Sequence, residues 1–267
     1  NDSVRTVFLK KKSVKQSFFS IISYCRKTQP EIIFSNQAHL NWIVILTKPF
    51  LSSSTKFICR QSNIASVRVQ KSFSSKVSTL LIQLLYPKYD LVICQSTDMK
   101  KDLIENYKLN EKSCKVIHNP IDVEKIYSLA NQDQEMSEGF QIIAVGSQLG
   151  KHKGFERFIK SLTVIKETKF KCAILGEGSN RTNLQELIDE LQLHNNVFLV
   201  GLKPNPYSYF KNAVIYGMSS FSEGFPNVLL EAGIFGLTSI CFDAPGGTSD
   251  IITDGKNGFI VPSDDIL

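Results

Sequence analysis

The sequence predicts an α/β protein built from two doubly wound parallel sheets. Three observations lead there. From residue 31 onward, short apolar runs alternate with stretches of helical spacing. Between them fall clusters of Gly, Asn, Ser and Pro, the residues that stop strands and begin turns. Charge also divides the chain: residues 1–120 hold 19 Lys and Arg against 7 Asp and Glu, whereas residues 121–267 hold 12 against 18. A basic half joined to an acidic half suggests two domains with different partners. With 267 residues, 42% of them hydrophobic, the chain can fill two medium cores. The boundary is placed at the Asn119-Pro120 turn, giving domains 1–119 and 120–267, just before the polar stretch "IYSLANQDQEMSEG", which reads as the loosest segment.

In the first half "EIIFSN" reads as a strand and "HLNWIVILTKPFL" as a helix stopped at Pro49. "KFICRQ" is a second strand. "VRVQKSFSSKVSTLLIQLLY" is a helix with Val69, Phe73, Val77, Leu80, Leu81 and Leu84 at helical spacing. "DLVICQS" is a third strand, followed by the helix "STDMKKDLIENYKL", capped by Ser96 or Thr97. "CKVIHNPID" closes this half with a strand and a turn. The second half repeats the pattern through the strands "FQIIAVGS", "FKCAILGEGS", "NVFLVG", "AVIYGMS", "TSICFD" and "GFIVP". Between them lie the helices "KGFERFIKSLTVIK", "NLQELIDELQL", "NPYSYFKNA", "PNVLLEAGIFG" and "GTSDIITD".

Several function classes are excluded or narrowed. No run of eighteen apolar residues is present to span a membrane. Six scattered cysteines include no C-x-x-C and no His-Cys cluster, which points to reduced, buried thiols. The chain begins at Asn1, so no signal peptide is readable and the true N-terminus is expected to lie upstream. The basic half could face anionic lipid, nucleic acid or simply solvent.

Open parallel sheets bind ligands beyond the carboxyl ends of their strands. In the second half the residues that break the apolar pattern collect there, in "GSQLGKHKG", "GEGSN", "GLKPNP" and "SSFSEGFPN". Lys153 precedes Gly154 and a helix start, where a cation repels the positive helix end unless an anion lies between them. Pro226 suits a first helical turn, and the backbone N–H groups of Asn227, Val228 and Leu229 are then open to a phosphate. Glu223 sits on the Gly-Phe-Pro-Asn turn outside that helix and Glu231 about one turn in. Two carboxylates flanking an anion-binding helix end suit a nucleotide-sugar, one accepting from sugar hydroxyls and the other from ribose.

The chain resembles the retaining glycosyltransferases of family 4, which share the GT-B fold. The resemblance is carried by "VGSQLGKHKGFERFIKSL", "AILGEGSNRTNLQELIDELQLHNNVFLVGLKPNPYSYFKNA" and "SSFSEGFPNVLLEAGIFGLTSICFDAPGGTSDIITDGKNGFIVP". The family's two glutamates separated by seven residues fit Glu223 and Glu231. "NPYSYF" and "PGGTSDII" look most like bacterial transferases that build capsule, O-antigen and related surface polysaccharides. The resemblance implies two Rossmann-like domains facing across a cleft, an acceptor-side first domain that is incomplete here and a donor-binding second domain lacking its last helices. It implies that Glu223 contacts the donor sugar and that Gly224, Phe225 and Pro226 shape its pocket. Asn227, Val228 and Leu229 would meet the diphosphate, Glu231 the ribose, and Leu202 and Lys203 the base. Lys153 matches the family's diphosphate lysine, and Gln148 stands where an arginine is usual. Arg60 follows a strand where many members place a histidine. The implied reaction moves a sugar from a nucleoside-diphosphate sugar to a lipid-linked or saccharide acceptor with retention. Neither cofactor nor metal is implied, and no Asp-x-Asp motif is present. The expected setting is cytoplasmic, at the inner membrane face, held to anionic lipid by the basic half and without nucleic acid. The alternatives are a truncated, non-catalytic nucleotide-binding fragment and a GT-B epimerase.

Overall fold

The computed structural model describes residues 4–67, 73–132 and 139–263. The chain divides into two compact units, Asn1–His118 and Asn119–Leu267. The first contains α1 (Phe18–Thr28), β1 (Ile32–Asn36), α2 (Ala38–Leu46), β2 (Lys56–Gln61), α3 (Phe73–Leu85), β3 (Leu91–Cys94), α4 (Thr97–Tyr107) and β4 (Cys114–Val116). Its strands pair in parallel in the order β1-β2-β3-β4. Each crossover steps the same way, which the right-handed rule turns into three helices on one face. Phe57, Cys59, Val92 and Cys94 from the strands pack with Tyr86, Met99 and Leu103 in one core. Ser96 caps α4 by accepting from the Met99 N–H at 3.2 Å.

The second unit runs α5 (Val123–Ala130), β5 (Ile142–Gln148), α6 (Phe155–Ser161), β6 (Cys172–Glu177), α7 (Arg181–Glu190), β7 (Val197–Gly201), α8 (Tyr207–Asn212), β8 (Ile215–Met218), α9 (Asn227–Ile234), β9 (Thr238–Phe242), α10 (Thr248–Ile251) and β10 (Gly258–Val261). Its parallel sheet has the order β10-β9-β8-β5-β6-β7, so the winding reverses between β5 and β8. Side chains alternate between the faces. Ile142, Ala144, Cys172 and Ile174 pack with α6 and α7, while Ile143, Ala173 and Leu175 pack with α8 and α9. Covering on both faces is why β5 and β6 read as continuous apolar runs.

Four features depart from the sequence reading. Helix α1 lies before residue 31, where no element was read. The segment read as loosest begins inside α5, whose amphipathic face buries Ile126 and Ala130. The helix expected over 153–166 is α-helical only from Phe155 to Ser161 and then tightens into a 3₁₀ turn, Leu162–Ile165. The β-branched run Thr163-Val164-Ile165 is crowded in a helix. The helix expected from Val67 begins at Phe73 among the described residues, and Val69, Arg68 and Lys71 lie outside them. All six cysteines are buried thiols.

Candidate functional site

The carboxyl ends of β5 and β8 flank the winding reversal, and their loops bring Lys153 and Glu223 together. Lys153 ends a 3₁₀ turn, Lys151–Lys153, and Gly154 turns left-handed (φ +64°) into α6. A Cβ at Gly154 would lie 2.0 Å from the Ser219 carbonyl oxygen, so only glycine lets the β5 and β8 loops approach this closely. Two further bonds join them: the Ser219 hydroxyl donates to Lys153 O at 2.9 Å and the Phe221 N–H to His152 O at 2.9 Å. On this scaffold Lys153 Nζ donates to Glu223 Oε1 at 2.8 Å. Ser220 Oγ donates to the same oxygen at 2.5 Å. The Glu223 side chain is 15% exposed and its N–H bonds Pro245 O at 3.0 Å. One carboxylate oxygen thus faces both an ammonium and a hydroxyl.

Gly224, Phe225 and Pro226 are buried and lead into α9. The helix begins at Asn227 with no side-chain cap. The N–H groups of Asn227 and Val228 stand before the first intrahelical bond. The Leu229 N–H does not: it donates to Pro226 O at 3.0 Å. The expected trio of open donors is therefore a pair, because the first turn closes one residue early. The Asn227 side chain accepts from Asn119 Nδ2 at 2.8 Å, and the C-terminal Ile234 carbonyl accepts from the Tyr127 hydroxyl of α5 at 2.7 Å. Both ends of α9 are tied to the start of this unit.

Glu231 lies half-buried one turn into α9, with the Tyr207 hydroxyl 3.5 Å from its Oε1. Loss of hydration raises its carboxyl above the ordinary glutamate range, against the opposing pull of Tyr207. Tyr207 is raised in turn, first by burial and then by Glu231. Gln148 is exposed at the end of β5, paired in register with Glu177 after an irregularity that begins at Val145. Leu202 is 59% exposed on the loop after β7, and the ammonium of its neighbour Lys203 makes no ion pair among the described residues. The structure thus joins Lys153 to Glu223 directly, and Glu223 to Glu231 through α9. It leaves Gln148 at the end of β5, and Leu202 and Lys203 on the loop after β7, without a bond to that pair. Arg60, in the other unit, donates from Nε to Asn36 Oδ1 at 2.9 Å. Among the described residues no group of three or more His, Cys, Asp and Glu side chains is placed to hold a metal.

Sequence reasoning missed Arg157, Ser220 and Tyr207. Arg157 is 5% exposed, a charge among Phe155, Phe158 and Ile159. Its position in "FERFI" already falls on that buried stretch, and this was the available signal.

A basic group and a carboxylate before an uncapped helix start, at a sheet's carboxyl edge, can hold an anion and a polyol side by side. The sequence pattern of the family described as "Glycosyl transferases group 1" matches residues 129–266, the whole segment that carries this site. The chain belongs to that family. The pattern of "Glycosyltransferase Family 4" matches residues 4–125 of this group 1 glycosyl transferase. It is 34% identical over 88% of its length to a Campylobacter jejuni protein, N-acetylgalactosamine-N,N'-diacetylbacillosaminyl-diphospho-undecaprenol 4-alpha-N-acetylgalactosaminyltransferase, and spans 63% of that relative. It is 26% identical over 91% of its length to the amylovoran biosynthesis glycosyltransferase AmsD of Erwinia amylovora, and spans 67% of it. Among solved structures, HepE of Anabaena in complex with UDP superposes with a TM-score of 0.77 at 17% identity, over 93% of this chain and 69% of that one. The fold of this transferase is GT-B, with two parallel-sheet α/β units.

Proposed function

We propose that the protein transfers a sugar from a nucleoside-diphosphate sugar to a hydroxyl of a lipid-linked saccharide, with retention at the anomeric carbon and without metal or cofactor, in bacterial surface-polysaccharide synthesis. The observation that carries the reading is the 2.8 Å contact of Lys153 Nζ with Glu223 Oε1, just before the uncapped start of α9. The diphosphate takes Lys153 and the N–H groups of Asn227 and Val228, with Gln148 alongside. Glu223, relieved of the ammonium, accepts from sugar hydroxyls in a pocket walled by Gly224, Phe225 and Pro226. Glu231 accepts from ribose, and Leu202 and Lys203 flank the base. As the bond from the anomeric carbon to the diphosphate breaks, its electron pair goes to the diphosphate oxygen, where Lys153 and the helix end stabilise it. The acceptor oxygen bonds the same carbon and its proton leaves with the diphosphate.

The acceptor class is supported by the relatives. The name of the C. jejuni protein includes diphospho-undecaprenol and that of the E. amylovora protein amylovoran biosynthesis. A lipid-borne acceptor calls for contact with the cytoplasmic membrane face. Among the described residues no helix is long and apolar enough to cross a membrane. Lys10, Lys11, Lys12 and Lys15 are exposed, beside Phe8 at 80% and Phe19 at 78% exposure. Such a basic and aromatic strip binds anionic lipid surfaces reversibly. The deciding experiment offers the full-length protein a panel of UDP-, GDP- and ADP-sugars. At least one should raise the unfolding midpoint and release its nucleoside diphosphate when an acceptor lipid is present. A panel in which no donor binds would overturn the reading.

A further inference from the structure

Arg157 is buried in α6, and among the described residues it has no carboxylate partner. Its acceptors are main-chain carbonyls: Nε donates to Ser219 O at 2.7 Å, Nη2 to Ser220 O at 2.6 Å and Nη1 to Ser263 O at 3.4 Å. Its Cζ atom lies over the rings of Phe221 and Phe242, 4.1 Å from each centroid. Burying a cation is costly, and an apolar side chain could fill the same space. What an apolar side chain cannot do is hold two successive carbonyls in one fork. Those carbonyls belong to Ser219, whose hydroxyl reaches Lys153 O, and to Ser220, whose hydroxyl reaches Glu223 Oε1.

We propose that Arg157 is the positioning residue of the donor site, fixing through Ser220 the carboxylate of Glu223 without touching the donor. The inference rests on the sugar-binding role given to Glu223 above. The geometry demands the fork itself. Lysine supplies the charge but cannot hold two neighbouring carbonyls in plane, so Arg157→Lys loosens the loop while keeping the cation. Ser220→Ala cuts the same connection at its far end by removing one hydroxyl.

The test uses full-length protein and four readouts: turnover, donor KM, affinity for the nucleoside diphosphate, and amide hydrogen exchange of residues 219–224. Arg157→Lys should lower turnover about 10- to 100-fold, on the scale that a small misplacement of a substrate-holding group can bring, and lower diphosphate affinity much less. Exchange at 219–224 should quicken, and Ser220→Ala should show the same pattern more weakly. In a Glu223→Gln background, Arg157→Lys should change turnover little, because the group it positions is gone. An equal loss in both backgrounds, or diphosphate affinity falling as far as turnover, would show a general structural role and overturn the proposal. If the wild type neither binds nor transfers, the functional reading is lost, and the exchange measurement still decides. Faster exchange at 219–224 in both variants then upholds the hold of Arg157 on the Glu223 loop, and unchanged exchange overturns it.

Discussion

Lys153 Nζ donates to Glu223 Oε1 at 2.8 Å, so each side chain sets the other's charge environment. On the proposed function, removing the lysine would take away the diphosphate's partner and leave a carboxylate to repel it. Lys153→Ala should weaken nucleoside-diphosphate binding by at least about 1.5–3 kcal/mol, the worth of a charged hydrogen bond, while the bare nucleoside binds as before. Calorimetry of the two ligands checks this. Glu223→Gln should act mainly on turnover, because the sugar gains positive character during the reaction while ribose does not. Glu231 makes a different prediction. Its folded carboxyl titrates above the unfolded one, so the folded state binds more protons in the window between them, and stability falls as pH rises through that window. Glu231→Gln removes the buried charge. It should raise the unfolding midpoint at pH 7, with the gain vanishing toward pH 4, and weaken donor binding at the same time. A variant that loses stability at pH 7 would contradict the burial argument.

At the scale of elements, two glycines separate conformational strain from steric room. Gly154 (φ +64°) and Gly255 (φ +71°) are both left-handed, but a Cβ at Gly255 meets nothing within 4 Å whereas one at Gly154 meets Ser219 O at 2.0 Å. Gly255→Ala should cost about 1–2 kcal/mol, the left-handed penalty alone. Gly154→Ala should cost more and depress turnover, because the β8 loop must shift; urea unfolding and donor kinetics on both variants distinguish the two. This contrast also marks what was legible in the sequence. Pro226 announced the start of α9, and the apolar runs announced β5 and β6, because backbone constraints and two-sided burial leave local traces. The ion pair of Lys153 with Glu223, the carbonyl partners of Arg157 and the bond from Leu229 N to Pro226 O left none. The first two depend on contacts between loops far apart in the chain, and the third on how tightly one turn closes. Helix α1 escaped notice because its apolar positions, Phe18, Ile21, Ile22 and Cys25, are interleaved with exposed Phe19 and Tyr24, which blurs the period.

At the scale of the whole molecule, the asymmetry of charge makes a prediction about anionic lipid that belongs to the proposed function. Each exposed lysine near an anionic surface contributes about 1 kcal/mol, screened over about 8 Å at physiological salt. The protein should sediment with anionic vesicles at low salt and be released at high salt. Replacing Lys10, Lys11, Lys12 and Lys15 together by Gln should weaken sedimentation and spare nucleotide affinity. Failure to sediment at low salt would point to an acceptor in solution. The strand order of the second unit carries a further consequence, for synthesis on the ribosome. One face of β5 and β6 finishes its core by Leu199 except for the partly buried Ile215, but the other face waits for Tyr209, Phe210, Leu229 and Ile252. The edge of β5 waits for Ile215. At roughly 5–20 residues per second, a nascent chain therefore holds an unpaired edge and a bare apolar face made of Ile143, Ala173 and Leu175 for several seconds. Over that interval it is a target for chaperones, and chains arrested there should aggregate through β5.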